Sequence, residues 1–400
     1  MTVSTPATET KGHVLVAGAT GFMGGFIANA SLEASRKTYI VVRPSAFGSP
    51  AKEKVIDALQ DKGAFVLRGL INDKEWIEKV LREHKIDIVI SVVGGENVMD
   101  QTPLVEAIKN VGTVKRFLPS EFGHDVDRAN PVEPGLMMYK EKRLVRRMIE
   151  ESGVPYTYIC CNSIASWPYY DNTHPSDVTP PLDQFQIYGD GSVKAYFVAG
   201  SDIGKFTMKA VDDLRTLNKI LHFRPPCNYL NVNELASLWE KKIGKTLPRV
   251  TISEEDLLAA AAENRIPQSV VASFTHDIFI KGCQVDFSID GPNEVEVTEL
   301  YPNKTFKTID ECFEEFVVRA ENVVKAVDKD YVMGNVDDDD TEDAEDKEGS
   351  EDTDYTESTE DDLADDVDNK ISEAASGAIS EIIPTKQNPV FEAQHVPAVC

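Results

Sequence analysis

Val14-Leu15-Val16-Ala17-Gly18-Ala19-Thr20-Gly21-Phe22-Met23-Gly24-Gly25 opens on a short apolar run, breaks at a glycine, and passes into a helical pattern with Phe26, Ile27 and Ala30. Strand, glycine turn and helix is the context in which such glycines bind a dinucleotide. Gly18 permits the tight turn, Gly21 lets the backbone approach a pyrophosphate, and Gly24 lets the helix pack close to the strand. Gly18, Ala19, Thr20, Gly21, Phe22, Met23 and Gly24 are therefore the candidate phosphate cradle. Their amides and the helix dipole favour negative charge. The next strand, Thr38 to Val42, ends in Arg43-Pro44. NAD-binding folds usually carry an acid there for the ribose 2′-hydroxyl, whereas an arginine accommodates a 2′-phosphate. Arg43 stands in place of the acid, and Lys52 follows in a polar loop as a second phosphate contact. NADP rather than NAD is the expected cofactor.

Strands continue at Phe65 to Gly69, Ile86 to Val93, Val114 to Leu118 and Val154 to Cys161, with helical patterns between them. The near-continuous apolar run Ile86 to Val93 is typical of a parallel strand covered on both faces. This alternation predicts an α/β fold, a doubly wound parallel sheet of Rossmann type resembling an atypical short-chain dehydrogenase. We expect an NADP-binding domain over 11–160 and a smaller substrate domain over 161–328, facing the C-terminal edge of the sheet. Phe185 to Tyr188 and Lys194 to Val198 flank Gly189-Asp190-Gly191 and read as a β-hairpin. Asn231 and Ser253 read as helix starts, the latter with a capping box to Asp256.

Composition narrows the function classes. The chain has 400 residues, 42% of them hydrophobic, and a formal net charge of −27. From Asp337 to Asp368 there are 19 acids and one base, which leaves the rest of the chain at −9. A chain this acidic gives no support to nucleic-acid binding. The block predicts a disordered acidic tail over 329–400, with no partner readable from it. No apolar run is long enough to span a bilayer. Met1 to Gly12 lacks the apolar core of a signal peptide, and the six cysteines show no zinc spacing. A cytoplasmic protein with reduced thiols and no metal is the expectation.

Chemistry-bearing residues cluster after the fifth strand. Pro119-Ser120-Glu121-Phe122-Gly123-His124-Asp125 occupies the position that meets the nicotinamide half of a cofactor, so His124 is a candidate acid or base. In the helix Met137 to Ser152, Lys142 lies within about 60° of the apolar stripe of Met138, Val145 and Ile149, while Lys140 falls on the solvent face. An amine on an apolar face loses solvation and becomes a usable base. Tyr139 is its neighbour at i, i+3. Arg146, at the stripe edge, reads as a snorkelling or ion-paired side chain. Tyr139-x-x-Lys142 is not the Tyr-x-x-x-Lys of common short-chain dehydrogenases, which argues against simple alcohol–ketone chemistry. Aromatic and small residues from Asn162 to Tyr170 can line a pocket for a flat ring system. Ser120, Phe122, Met138, Asn162 and Tyr169 are its candidate residues.

The Gly18–Gly24 motif, Arg43, the Phe117–Gly123 run and Lys142 together resemble the plant isoflavone reductase-like NADPH-dependent aromatic reductases, over roughly Lys11 to Asp328. His124–Arg128, Ile159–Tyr170 and the C-terminal extension look like the branch acting on flavan-3,4-diols. The resemblance implies NADPH-dependent loss of the C4 hydroxyl through a quinone methide, giving a 2,3-trans-flavan-3-ol. Lys142 would be the general base, with Tyr139 and His124 beside it. His124, with a near-neutral pKa, would protonate the departing oxygen. Rival readings are a sister reductase acting on a phenylcoumaran, lignan or isoflavone, a non-catalytic NADP-sensing regulator, and an acidic-tail interaction protein scaffolded on the reductase fold.

Overall fold

A computed structural model describes residues 11–165 and 181–318. Strands β1 (His13–Ala17), β2 (Thr38–Val42), β3 (Phe65–Arg68), β4 (Ile86–Ser91) and β5 (Arg116–Leu118) form one parallel sheet in the order β3-β2-β1-β4-β5. Between them run α1 (Phe22–Glu33), α2 (Pro50–Asp61), α3 (Lys74–Glu83) and α4 (Gln101–Val111), and after β5 comes α5 (Gly135–Ser152). The order reverses beside β1, the topological switch point at which open α/β sheets bind ligands. The doubly wound sheet read from the sequence is present.

Alternation along β1 builds the two layers. Val14 and Val16 enter a core shared with α1 and with α6 (Gly200–Ala210), whereas Leu15 and Ala17 enter the opposite core with α3, α4 and α5. Helices α1 and α6 approach closely because Gly204 carries no side chain; a Cβ there would lie 2.6 Å from the Phe26 carbonyl oxygen.

Beyond β5 the parallel array continues. Phe117 bridges Tyr156, and β6 (Thr157–Cys160) pairs with β10 (Lys219–His222), which pairs with β13 (Glu294–Glu296). The sixth strand is shorter than its apolar run because Pro155 offers no N–H; its carbonyl alone accepts from Phe117, at 2.7 Å. A third core gathers Phe185, Trp239, Phe274 and Phe313 under α7 (Val232–Ile243), α8 (Glu254–Ala262) and α9 (Gln268–Phe279). Asn231 and Ser253 both close capping boxes, at the starts of α7 and α8. A four-residue helix, α10 (Val297–Leu300), follows β13.

The expected hairpin is not formed. β8 (Phe185–Tyr188) pairs in parallel with β12 (Arg249–Ile252), while β9 (Lys194–Val198) pairs with β11 (Tyr229–Asn231) and with β7 (Ser163–Ile164). Gly189 and Gly191 do turn the chain, with φ of 59° and 69° respectively, but the turn delivers its strands to different sheets. Each strand pairs instead with a later segment, β8 over four residues of β12 and β9 over three of β11.

Gly24 is the contact on which the β1–α1 unit closes: a Cβ there would sit 2.0 Å from the Gly18 carbonyl oxygen, both of them backbone-bound. Gly24→Ala should therefore destabilise the chain by about 1–3 kcal/mol through overpacking. A thermal melt reads this directly, and an unchanged midpoint would contradict the packing argument.

Candidate functional site

The glycine turn fits a dinucleotide. Gly18 has φ of 83°, and a Cβ on it would meet the Val92 carbonyl oxygen at 2.4 Å. Gly18 and Gly24 are thus required by the protein itself. Gly21 is not, since its nearest neighbour would lie at 3.4 Å, and its open side is where a pyrophosphate needs room. Gly21 caps α1 without a side-chain bond, and the first turn carries no acid. An uncapped helix start with vacant amides suits an anion. Ala19 and Met23 are buried behind this turn, with Thr20 and Phe22 half-buried at its rim. At the end of β2, Arg43 is exposed and extended, with no ion pair among the described residues. Lys52 lies in the first turn of α2, not in a loop, because Pro50 starts that helix two residues earlier.

The loop after β5 is held from three sides. Ser120 donates its N–H to Gln101 Oε1 at 2.8 Å and its hydroxyl to the Val93 carbonyl, tying the loop to the end of β4. Phe122 is fully buried with φ of 39°, a left-handed backbone that an aromatic residue adopts only under constraint. Asn162, also left-handed at φ of 59°, donates its N–H to the Gly123 carbonyl at 3.0 Å and its amide to the Phe223 carbonyl at 2.9 Å. Ser120, Phe122 and Asn162, expected along a pocket, also shape the loop. Met138 is half-buried against the third core. Tyr169 lies outside the described residues.

Helix α5 supplies the third side. Its buried face presents Tyr139, Lys142, Val145, Arg146 and Ile149, as the helical spacing predicts, while Lys140 is exposed and paired with Glu133. Lys142 Nζ donates to the Glu121 carbonyl at 3.0 Å. Tyr139 and His124 share a hydrogen bond between the phenol oxygen and Nδ1, and Phe274 of α9 stacks on Tyr139 at 4.7 Å between ring centroids. Burial, then the charge on Lys142, pushes the His124 pKa down to about 3. Burial also raises the Tyr139 phenol well above its ordinary value. His124 is therefore neutral at pH 7, which corrects the near-neutral pKa expected from the sequence: the ring is sealed in the loop and faces a cation. The Tyr139 hydroxyl keeps its proton and best donates it to Nδ1, which puts the imidazole proton on Nε2. Nε2 is buried without a hydrogen-bond partner among the described residues. The site thus holds an amine and an unspent imidazole nitrogen.

Arg146 is wholly buried and ion-paired, not snorkelling. Its guanidinium binds both oxygens of Glu121, at 2.9 and 2.8 Å, and Asp125 and Asp127 at 2.7 and 3.0 Å. The sequence left both readings open, and ion pairing is the one the structure takes. Its signal is the acid series Glu121, Asp125, Asp127 facing the basic series Arg143, Arg146, Arg147 one helix later. Phe274 carried no such signal, since an aromatic in a buried helix is usually core. Asp125, Cys160 and His222 also converge, with donor atoms within 4.8 Å. Arg146 already binds Asp125 and lies 3.7 Å from Cys160 Sγ, and burial keeps the thiol protonated. Arg146 therefore occupies Asp125 and crowds Cys160, while His222 Nε2 is buried without a hydrogen-bond partner among the described residues.

The NmrA-like family model matches residues 10–313. The chain is 63% identical over 317 residues to a leucoanthocyanidin reductase of Desmodium uncinatum, covering 79% of this chain and 83% of that one. It is similar to the solved leucoanthocyanidin reductase–NADPH binary complex of Vitis vinifera, at 69% identity and a TM-score of 0.74, covering 77% and 100% of the two chains. A phenylcoumaran benzylic ether reductase of Populus trichocarpa is 44% identical over 304 residues, 76% of this chain and 99% of that one.

Burial makes a pH prediction. His124 and His222 resist protonation in the folded chain until about 3 and about 4, whereas the unfolded chain takes up protons on both near their ordinary 6.5. The unfolded state then binds more protons, so this part of the stability is full above pH 6.5 and lost as pH falls. Replacing both by asparagine should flatten the loss between about pH 6.5 and 4.5, by up to ~1.4 kcal/mol per pH unit per histidine. Urea titrations across that range decide it; parallel profiles would contradict the shifts.

Proposed function

The chain belongs to the NmrA-like family, and we propose that it is an NADPH-dependent reductase converting flavan-3,4-diols (leucoanthocyanidins) to 2,3-trans-flavan-3-ols such as catechin, in flavonoid and proanthocyanidin biosynthesis. The observation that carries this reading is the buried amine of Lys142, held at the Glu121 carbonyl beside the His124–Tyr139 pair at the C-terminal edge of the sheet. The likeness to the Desmodium and Vitis reductases, at 63% and 69% identity, supports it and favours a diol over the benzylic ether of the poplar relative, at 44%.

In this reading residues 11–160 hold the cofactor and 161–328 cover the substrate. The amides of Phe22 and Met23 take the pyrophosphate, Gly21 leaves room for it, and Arg43 and Lys52 take the 2′-phosphate. Bound NADPH supplies a hydride. Lys142 removes a phenolic proton, and the electron density released expels the benzylic C4 hydroxyl as the quinone methide forms. His124, neutral, stabilises the departing oxygen by donating from Nε2–H rather than as a cationic acid. Tyr139 holds the ring in that tautomer. Met138 lines the ring pocket. Among the described residues no helix is long and apolar enough to cross a membrane, and Cys160, Cys227, Cys283 and Cys312 are free thiols, which fits a cytoplasmic enzyme.

Lys142→Ala should lower kcat/KM on leucocyanidin by at least about 10²-fold with NADPH affinity kept. NADPH oxidation with the product resolved by chiral chromatography tests this. Turnover of a phenylcoumaran or lignan in place of leucocyanidin would overturn the assigned substrate. Arg43→Ala should raise the KM for NADPH about tenfold or more and leave that for NADH unchanged, as expected for loss of a charge-assisted phosphate contact; equal effects on both cofactors would refute the 2′-phosphate role.

A further inference from the structure

Glu121 stands between two cations. Its main-chain oxygen accepts from Lys142 Nζ at 3.0 Å, while its carboxylate is bound by the Nε–Nη2 edge of the Arg146 guanidinium. Both cations project from the same face of α5, one helical turn apart. The carboxylate therefore hangs on the very residue whose carbonyl holds the amine.

We propose that Arg146 is a positioning residue that keeps the Glu121 carboxylate off the Lys142 amine, so that the main chain of Glu121 orients Lys142 without its side chain pairing with it. The inference rests on the assignment of Lys142 as the base and deepens it. A carboxylate beside an amine favours the ammonium form, and an ammonium cannot accept the phenolic proton. Arg146 prevents this by offering Glu121 a bidentate partner, which a single ammonium cannot match.

The charged and titratable surroundings are consistent with that role. On the loop, Asp125 and Asp127 also face Arg146, and Arg128 faces Asp125. On α5 itself, Tyr139 precedes Lys142 by one turn, Arg143 binds the Val126 and Ala129 carbonyls, and Arg147 shares Asp127 with Arg146. From β6, Cys160 and Tyr158 pack on the guanidinium, and from α9 and the turn after it Asp277 and Cys283 act on Tyr139. His124 faces Lys142, and His222 faces Asp125. Among these described groups Glu121 is the carboxylate that shares a residue with the Lys142 acceptor.

The test is the pH profile of kcat/KM on leucocyanidin for the wild type, Arg146→Lys, Glu121→Gln and the double variant, each checked for NADPH binding and melting. Lysine at 146 keeps a buried cation but cannot hold both Glu121 and Asp125. The expected result is an acid limb moved up by about one pH unit in R146K, a tenfold loss of activity below it, and a limb restored to its wild-type position in E121Q/R146K. E121Q alone should not move the limb up, whatever rate it loses. An unmoved limb in R146K, or a moved limb that E121Q does not restore, overturns the proposal. If R146K does not fold, recovery of folding and of the wild-type limb in E121Q/R146K supports it, and failure of both variants to fold overturns it, leaving Arg146 a structural brace. Lys142→Ala run alongside separates the two readings. If it retains turnover, the base assignment itself is wrong; if it does not, the limb in R146K judges Arg146 alone.

Discussion

One guanidinium organises the site. Arg146 is removed from water and surrounded by Glu121, Asp125 and Asp127, with Tyr158 packed against its face at 4.7 Å. A buried charge of this kind is tolerable only when its donors are met, and removing one partner of such a pair typically costs about 3–5 kcal/mol. Here the partners all come from one loop, so the energy that satisfies the cation also fixes the loop. Everything that this loop presents, the Glu121 carbonyl to Lys142 and the His124 ring to Tyr139, inherits its position from that pairing.

The loop needs such support because its backbone is not relaxed. Phe122 and Asn162 both sit in the left-handed region and meet through the bond from Asn162 to the Gly123 carbonyl. Backbone of this kind costs of order 1–3 kcal/mol per residue and persists where the surroundings over-determine it. Arg146 from the helix, Gln101 from α4 and Asn162 from the end of β6 supply three independent constraints. The same enclosure explains the histidine. A ring shut in with a cation gives up its proton, so the loop that positions His124 also sets its charge.

Much of the cofactor half was legible from residue order. Gly18 and Gly24 are required by contacts with atoms only a few residues away or on the neighbouring strand, so their spacing carries the information. Lys142 was legible for a similar reason: a 3.6-residue period places it among Val145, Ile149 and Tyr139 whatever the helix packs against. Arg146 was only half legible. Its place on the helix follows from the same period, but its partners lie about twenty residues upstream and meet it only when the loop after β5 folds back over α5.

What the sequence alone determined is whatever rests on local periodicity and short-range sterics: the parallel alternation, the phosphate turn, the buried face of α5, the caps at Asn231 and Ser253. What only the tertiary structure decided is whatever rests on which distant surfaces meet. Phe185–Tyr188 and Lys194–Val198 look like partners across a glycine turn, yet each is claimed by a later strand. Ser120 and Asn162 look like pocket residues, and only the fold shows that they also tie the loop to Val93, Gln101, Gly123 and Phe223. His124 looks like an acid poised near neutrality, yet burial and Lys142 hold it neutral. In each case the deciding quantity is desolvation or pairing with a group far along the chain, and neither is encoded in a window of neighbouring residues.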